Sequence, residues 1–207
     1  MTDEALLAAF ERVLHGRRTV RYYRPVPVPA DVLAACLAAA AHAPAPHHRP
    51  PWRLVVLTRP AAKTQLAGAM GAAWARDLRA DGVAEERIAA LLAGSHARIA
   101  GAPAVVVLCT DDRALDRYPD ARRQAAEQQM AAQSAGAALQ NVMLAAHARG
   151  LATCWMCAPL FCPEVVAATL GLAPALRPQA LLTLGYPAQP PPPRPRLAPD
   201  QLIVRWD

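Results

Sequence analysis

The chain has 207 residues, 54% of them hydrophobic and 18% charged, with a formal net charge of +6. That length suits one domain that buries roughly 70% of its unfolded surface. The composition excludes a disordered tail, a collagen-like rod and a coiled coil.

The hydrophobic share is inflated by 49 Ala, while aromatics make up 5%. Small side chains build close helix contacts but thin cores, so a partner subunit or a bound cofactor is a natural complement. The basic excess comes from 21 Arg and one Lys, Lys63. No basic run interleaves with aromatics, which argues against a nucleic-acid groove. The arginines read either as a solvated basic face or as a few guanidinium forks set to hold an anionic ligand. Residues 1–18 carry Asp3, Glu4 and Glu11 and lack the apolar core of a signal peptide. The most apolar stretch, 131–148, contains Gln133, Gln140, Asn141 and His147, too many polar groups for a membrane span. Five cysteines without a secretory signal read as reduced thiols in a cytoplasmic protein.

In chain order, Leu6, Leu7, Phe10, Val13 and Leu14 recur at helical spacing and predict a helix over residues 2–15, closed by Gly16. Residues 17–24 form an extended basic loop, kept from helix by Pro25, Pro27 and Pro29. A helix over 30–42, a proline-rich turn over 43–51 and a strand over 52–57 follow. Pro60 opens a helical pair, 60–78 and 85–99. The apolar run 104–109, bounded by Pro103 and Asp111, is a buried strand. Residues 122–149 form the longest helix, with Gly150 as its C-cap. A strand over 151–156, a short helix over 163–170 and a last core strand over 180–185 complete the body. Residues 187–199 are too rich in proline for a helix and read as a polyproline-like arm. Residues 202–206 alternate apolar and polar, as an edge strand added to another sheet would. There is no internal repeat and no linker, so residues 1–207 read as one α/β or α+β domain with an arm from about 187.

No G-x-S-x-G elbow, P-loop or G-x-G-x-x-G occurs, against a serine hydrolase, a P-loop NTPase or a Rossmann dehydrogenase. His47 and His48 are adjacent and diverge, and no H-x-x-x-H exists, so no metal site is expected. Asp111 and Asp112 read as solvent-facing turn caps. Cys154 and Cys157 form a C-x-x-C inside a predicted strand, without a second pair, and read as packing residues rather than a redox or zinc pair.

Four segments remain. Arg17-Arg18-Thr19-Val20-Arg21 gathers three guanidinia and a hydroxyl, the groups that grip a phosphate and a polyol. Residues 43–52 carry His47, His48, Arg49 and Trp52 on a loop stiffened by four prolines, which suits a planar ligand. Gly150 to Cys157 leads out of the long helix with Trp155 and Met156. Arg194-x-Arg196 in the arm repeats the chemistry of the first segment.

In order and spacing these segments resemble the nitroreductase family of flavin mononucleotide (FMN) enzymes, along essentially the whole chain. The resemblance implies an α+β fold with a central, mostly antiparallel sheet flanked by helices, and a C-terminal arm exchanged in a homodimer with shared flavin sites. Arg17, Arg18, Thr19, Val20 and Arg21 match the family's R-R-S-V-R segment for the FMN phosphate, ribityl chain and pyrimidine edge, with Thr19 in place of Ser. Ala43, Pro44 and Ala45 correspond to the A-P-S turn that the other subunit contributes, with Pro46 next to it on the cofactor side; Ala45 lacks the hydroxyl. Trp155, Met156 and Cys157 lie where the family's strand runs along the flavin ring, and Arg196 stands for the late basic residue aimed at the phosphate.

Within the family the chain resembles the C-terminal reductase domain of actinobacterial FbiB, which acts in making the deazaflavin coenzyme F-420. The resemblance rests on A-P-A-P-H-H at 43–48, on Met70, Trp74, Asp77 and Leu78, and on Y-P-D-A at 118–121. The ligase domain that precedes the reductase in FbiB is expected to be absent, so that either a separate protein supplies the ligase or the substrate is another one. The implied activity is reduction of an activated double bond in a deazaflavin precursor, with His47, His48, Trp74 and Asp77 on the substrate side and His48 as a possible proton donor. Alternatives are a general NAD(P)H-dependent nitro or enone reductase, a flavin or deazaflavin carrier without turnover, and a thiol or zinc protein built on Cys154 and Cys157.

Overall fold

The computed structural model describes residues 3–192 and 194–207; Met1, Thr2 and Pro193 lie outside it. The expected start of the first helix at Thr2 and one proline of the arm therefore fall outside the described residues. Four strands, β1 (Trp52–Leu57), β2 (Ala104–Asp111), β3 (Ala152–Met156) and β4 (Leu176–Gly185), form one sheet in the order β1-β2-β4-β3. Every neighbouring pair is antiparallel. The helices are α1 (Asp3–Gly16), α2 (Ala30–Ala38), α3 (Pro60–Ala80), α4 (Glu85–Ala100), α5 (Ala121–Ala148), α6 (Pro163–Leu170) and the single turn α7 (Pro199–Leu202). The open choice between α/β and α+β resolves to α+β.

Alternation along β2 explains the layering. Val105, Val107 and Cys109 face one side and, with Leu57 and Leu181, meet Leu66 and Met70 of α3, Ile99 of α4 and Val166 of α6. Val106 and Leu108 face the other side and, with Trp52 and Leu182, meet Ala135, Leu139 and Val142 of α5. With helices on both faces, β2 is buried at every position, so it reads as an unbroken apolar run. Along α5, Ala131, Ala135, Ala138 and Ala146 are fully buried, and their small side chains let the helix lie close on the sheet. Asp120 caps it, accepting from the Arg123 N–H at 2.9 Å. At its far end Gly150, with φ 75°, turns the chain into β3 while the Leu151 N–H returns to the Ala146 carbonyl.

Three expectations need correction here. β4 starts at Leu176 rather than near 180, because the register jumps between Leu108 and Cys109. Pro178, which has no N–H to give, is tolerated at that irregularity. Residues 202–206 form no strand: α7 ends at Leu202, and Val204 and Trp206 project into solvent, since alternation makes no strand without a neighbouring edge.

Asp111 does not face solvent. As the last residue of a strand flanked on both sides, it is buried and accepts from Arg113 Nε and Nη2, both at 2.8 Å, and from the Arg113 N–H at 3.1 Å. Arg53 lies 3.2 Å away. The Arg113 bonds, with the Arg53 charge, hold the Asp111 carboxyl below the usual carboxylate range. Asp112 pairs with Arg177 at 2.6 Å. Among the described residues no helix is long and apolar enough to cross a membrane.

Candidate active site

α1 ends at Gly16, and the chain then runs out along the sheet. The Val20 N–H donates to the Thr153 carbonyl at 3.0 Å, and Thr19 forms a parallel bridge with Thr153 of β3. Farther on, Tyr23 bridges Pro187, and the Arg24 N–H reaches the Tyr186 carbonyl at 2.9 Å. Residues 19–24 therefore lie between β3 and the root of the arm. The Tyr23 hydroxyl fixes them there. It donates to the Val20 carbonyl at 2.7 Å and accepts from Thr183 Oγ1 at 2.8 Å.

The arm then folds back over this loop, where Arg196 Nη2 donates to the Arg17 carbonyl at 3.4 Å. Between them opens a cleft of about 310 Å³, lined by Arg17, Arg18, Thr19, Arg21, Arg194 and Arg196 and by the prolines at 190–192. Its size falls in the range of small-ligand sites, roughly 300–1,000 Å³.

No carboxylate is among the described lining residues. Burial, then the charges of Arg196 and Arg18, press the Arg17 pKa below its ordinary value. Arg17 Nη1 is buried with no hydrogen-bond partner. His147 on α5 stands behind the loop; burial and the charges of Arg17 and Arg18 push its pKa down as well. Its contact explains Gly16, where a Cβ would meet His147 Nε2 at 2.7 Å. A buried guanidinium nitrogen left unsatisfied costs about 1–3 kcal/mol or more. A dianionic phosphate removes that cost and the repulsion together, so the residues present fit the FMN phosphate.

The structure thus brings Arg17, Arg18, Thr19, Val20, Arg21 and Arg196 together from opposite ends of the chain, with Val20 buried beneath. The other expected residues lie outside the cleft. Trp155 packs on the α5 side of the sheet and Met156 on the α3 side, as neighbours in a strand must. Cys154 is buried as expected, and burial raises its thiol pKa. Cys157 is not a packing residue: it follows the strand end, is exposed, and its sulfur accepts from Trp155 Nε1 at 3.1 Å.

Ala45 packs into the α5-side core, near Pro44 and Pro46. His47 and His48 follow in a tight turn against α5, and Trp74 and Asp77 are exposed on α3, which packs on the other face of the sheet. One chain does not gather these four around a single point.

Sequence reasoning missed Tyr23 and His147, whose roles depend on contacts made only after folding. It also missed a cluster of His47, Asp116 and Glu127, whose ligating atoms lie within 4.8 Å of one another. The three come from separate segments, so no spacing motif could reveal them. The expectation of no metal-binding group rested on spacing alone.

Comparison with known proteins bears on this cleft and its sheet. The model of the nitroreductase family matches residues 14–186, from the basic loop through β4. An NADH dehydrogenase of Thermus thermophilus is 34% identical over 92% of this chain and 92% of its own length. The nitroreductase NfnB of Mycolicibacterium smegmatis is 30% identical over 81% of this chain and 78% of its own length. The crystal structure of FMN-dependent NfnB from Mycobacterium smegmatis, in complex with NADPH, superimposes with a TM-score of 0.68. It is 25% identical and covers 93% of this chain and 99% of that one. Because these matches span the basic loop and the sheet alike, the chain belongs to the nitroreductase family of FMN-dependent oxidoreductases.

Proposed function

We propose that the arginine cleft holds the FMN phosphate and that the protein passes electrons from NAD(P)H to an electron-poor acceptor. The observation that carries this reading is the buried, unpartnered Arg17 Nη1 beside Arg18 and Arg196, in a cradle with no carboxylate among its described lining residues. When bound, FMN supplies hydride chemistry at its N5, which no side chain of this protein can supply. The chain's own residues bind and orient. Arg17, Arg18 and Arg196 neutralise the phosphate; Thr19 and Val20 follow the ribityl chain; Arg21 sets a positive charge at the pyrimidine edge. The end of β3 and Cys157 beyond it would run beside the ring, with Trp155 and Met156 on opposite faces of the strand. The NADH dehydrogenase and the NADPH-bound nitroreductase among the relatives support a nicotinamide donor.

A second copy completes the site in this reading. α1 buries none of its residues within the chain, leaving Leu6, Leu7 and Phe10 exposed, and the arm exposes Leu202, Val204 and Trp206. A homodimer covers these surfaces and lets Pro44, Ala45 and Pro46 of one subunit reach the flavin of the other. It also reconciles the separation of His47 and His48 from Trp74 and Asp77, since residues on opposite faces of one chain can meet across a two-fold seam.

The acceptor proposed is the activated double bond of a deazaflavin precursor, with His47, His48, Trp74 and Asp77 beside it and His48 as proton donor. The loop at 43–48 and the exposure of Trp74 and Asp77 support it. Met70 of the same motif is a core residue. The test is NAD(P)H oxidation by the FMN-loaded protein with a dehydro-deazaflavin or with a nitroaromatic as acceptor. A kcat/KM at least tenfold higher for the deazaflavin, about 1.4 kcal/mol, is expected. The reverse preference makes the protein a general nitro or enone reductase, and turnover of neither acceptor sinks the enzymatic reading.

A further inference from the structure

The turn that carries His47 is built at a conformational cost. His47 has φ 55° and ψ 22°, and His48 has φ 53°, so two consecutive residues with side chains occupy the left-handed region. That costs roughly 1–2 kcal/mol for each. The conformation sets His47 Nε2 3.5 Å from Asp116 Oδ2 and 3.6 Å from Glu127 Oε2. Both separations exceed a normal N–H···O hydrogen bond of about 2.7–3.2 Å. They are close to the spacing between two ligands of one tetrahedral ion, about 3.3–3.4 Å for bonds near 2.0–2.1 Å.

Glu127 gives the independent evidence. It lies inside α5 with its side chain 1% exposed. Its Oε1 accepts from the Asp116 N–H at 3.2 Å, but its Oε2, aimed at His47, is buried with no hydrogen-bond partner. A buried carboxylate oxygen in that state is costly unless a cation or donor meets it. Asp116 is arranged in the complementary way. Arg49 bonds its Oδ1, which leaves Oδ2 for the cluster. Two carboxylates, Asp116 and Glu127, thus share one guanidinium, that of Arg49, beside the His47 imidazole, and a divalent cation would offset that acidic excess.

We propose that His47 Nε2, Asp116 Oδ2 and Glu127 Oε2 bind a Zn²⁺ ion, with water in the fourth position. One imidazole nitrogen and two carboxylate oxygens suit zinc; an imidazole in the set disfavours Mg²⁺ and Ca²⁺, which take oxygen ligands. The site shares no residue with the arginine cleft. Flavin loading and zinc loading therefore fail or succeed separately.

Equilibrium dialysis of the full-length, FMN-loaded protein against micromolar ZnCl₂ tests this, with bound metal counted per chain and thermal unfolding followed in parallel. The expected result is one Zn²⁺ per chain and a Tm that rises with zinc concentration. His47→Ala, at an exposed position, and Glu127→Gln each weaken retention at least tenfold, as loss of a ligand should. Cys157→Ser leaves retention unchanged. The proposal is overturned if the wild type retains no zinc, or if His47→Ala retains it as well as the wild type. It is equally overturned if Cys157→Ser is the change that abolishes binding.

Discussion

Arg17 and His147 feel the same field from two sides of the basic loop. Each is partly buried and each has Arg18 near it, so both prefer their uncharged forms more than they would in water. For His147 the folded pKa lies below the unfolded one. Between those two values the unfolded chain binds more protons, so stability falls as pH drops from about 6.5 toward the folded pKa. A dianion in the cleft opposes that field. We expect the His147 pKa, followed by NMR titration, to rise when FMN is added to flavin-free protein. An unchanged value would place the phosphate elsewhere. At this scale the sequence was partly legible: three arginines and a hydroxyl within five residues mark an anion-binding loop by chemistry alone. His147 was not, because a lone histidine on a long apolar helix carries no sign of what will pack beside it.

The extended segment after α1 makes one bridge to β3 and one to the root of the arm rather than a full strand, so a few side-chain bonds hold it. Tyr23 is the principal one, joining Val20 to Thr183 of β4 through a single hydroxyl. Removing it as Tyr23→Phe leaves the Val20 carbonyl and Thr183 without that partner. A stability loss of about 1–2 kcal/mol is expected in urea denaturation, with weaker FMN binding. Lowered stability with FMN affinity intact would show that loop position does not govern the cleft. Most elements were readable, because β1, β2 and α6 carry runs bounded by proline or acidic residues, and α5 is free of proline. The early start of β4 was hidden by Pro178, whose place depends on an irregular register. The expected strand at 202–206 failed for a different reason: alternation specifies a face, not a neighbour.

At the scale of the molecule, an Ala-rich chain with few aromatics leaves much apolar surface uncovered. Phe10 of α1, Phe161 after β3 and Trp206 at the end of the arm are all exposed, Phe161 at 82%. On α1 itself Leu6, Leu7, Phe10 and Leu14 are all exposed, an apolar helix face of the kind that marks an interaction surface. Light scattering is expected to give twice the 22.0 kDa chain mass. Leu6→Asp combined with Phe10→Asp should shift the protein toward monomer and lower FMN occupancy with it. A monomeric wild type that keeps its flavin would contradict the shared site.

The most direct test compares FMN with riboflavin, which differs only in lacking the phosphate. Titration of flavin-free protein should show FMN binding at least a hundredfold more tightly, since charge-assisted hydrogen bonds contribute about 1.5–3 kcal/mol each. Arg17→Ala and Arg196→Ala should each reduce that advantage about tenfold or more. Arg205→Ala, whose partner is Asp207 at the exposed chain end, should leave it intact. Equal affinity for the two flavins in the wild type, or equal losses from Arg196→Ala and Arg205→Ala, would contradict the arginine cleft as the phosphate site.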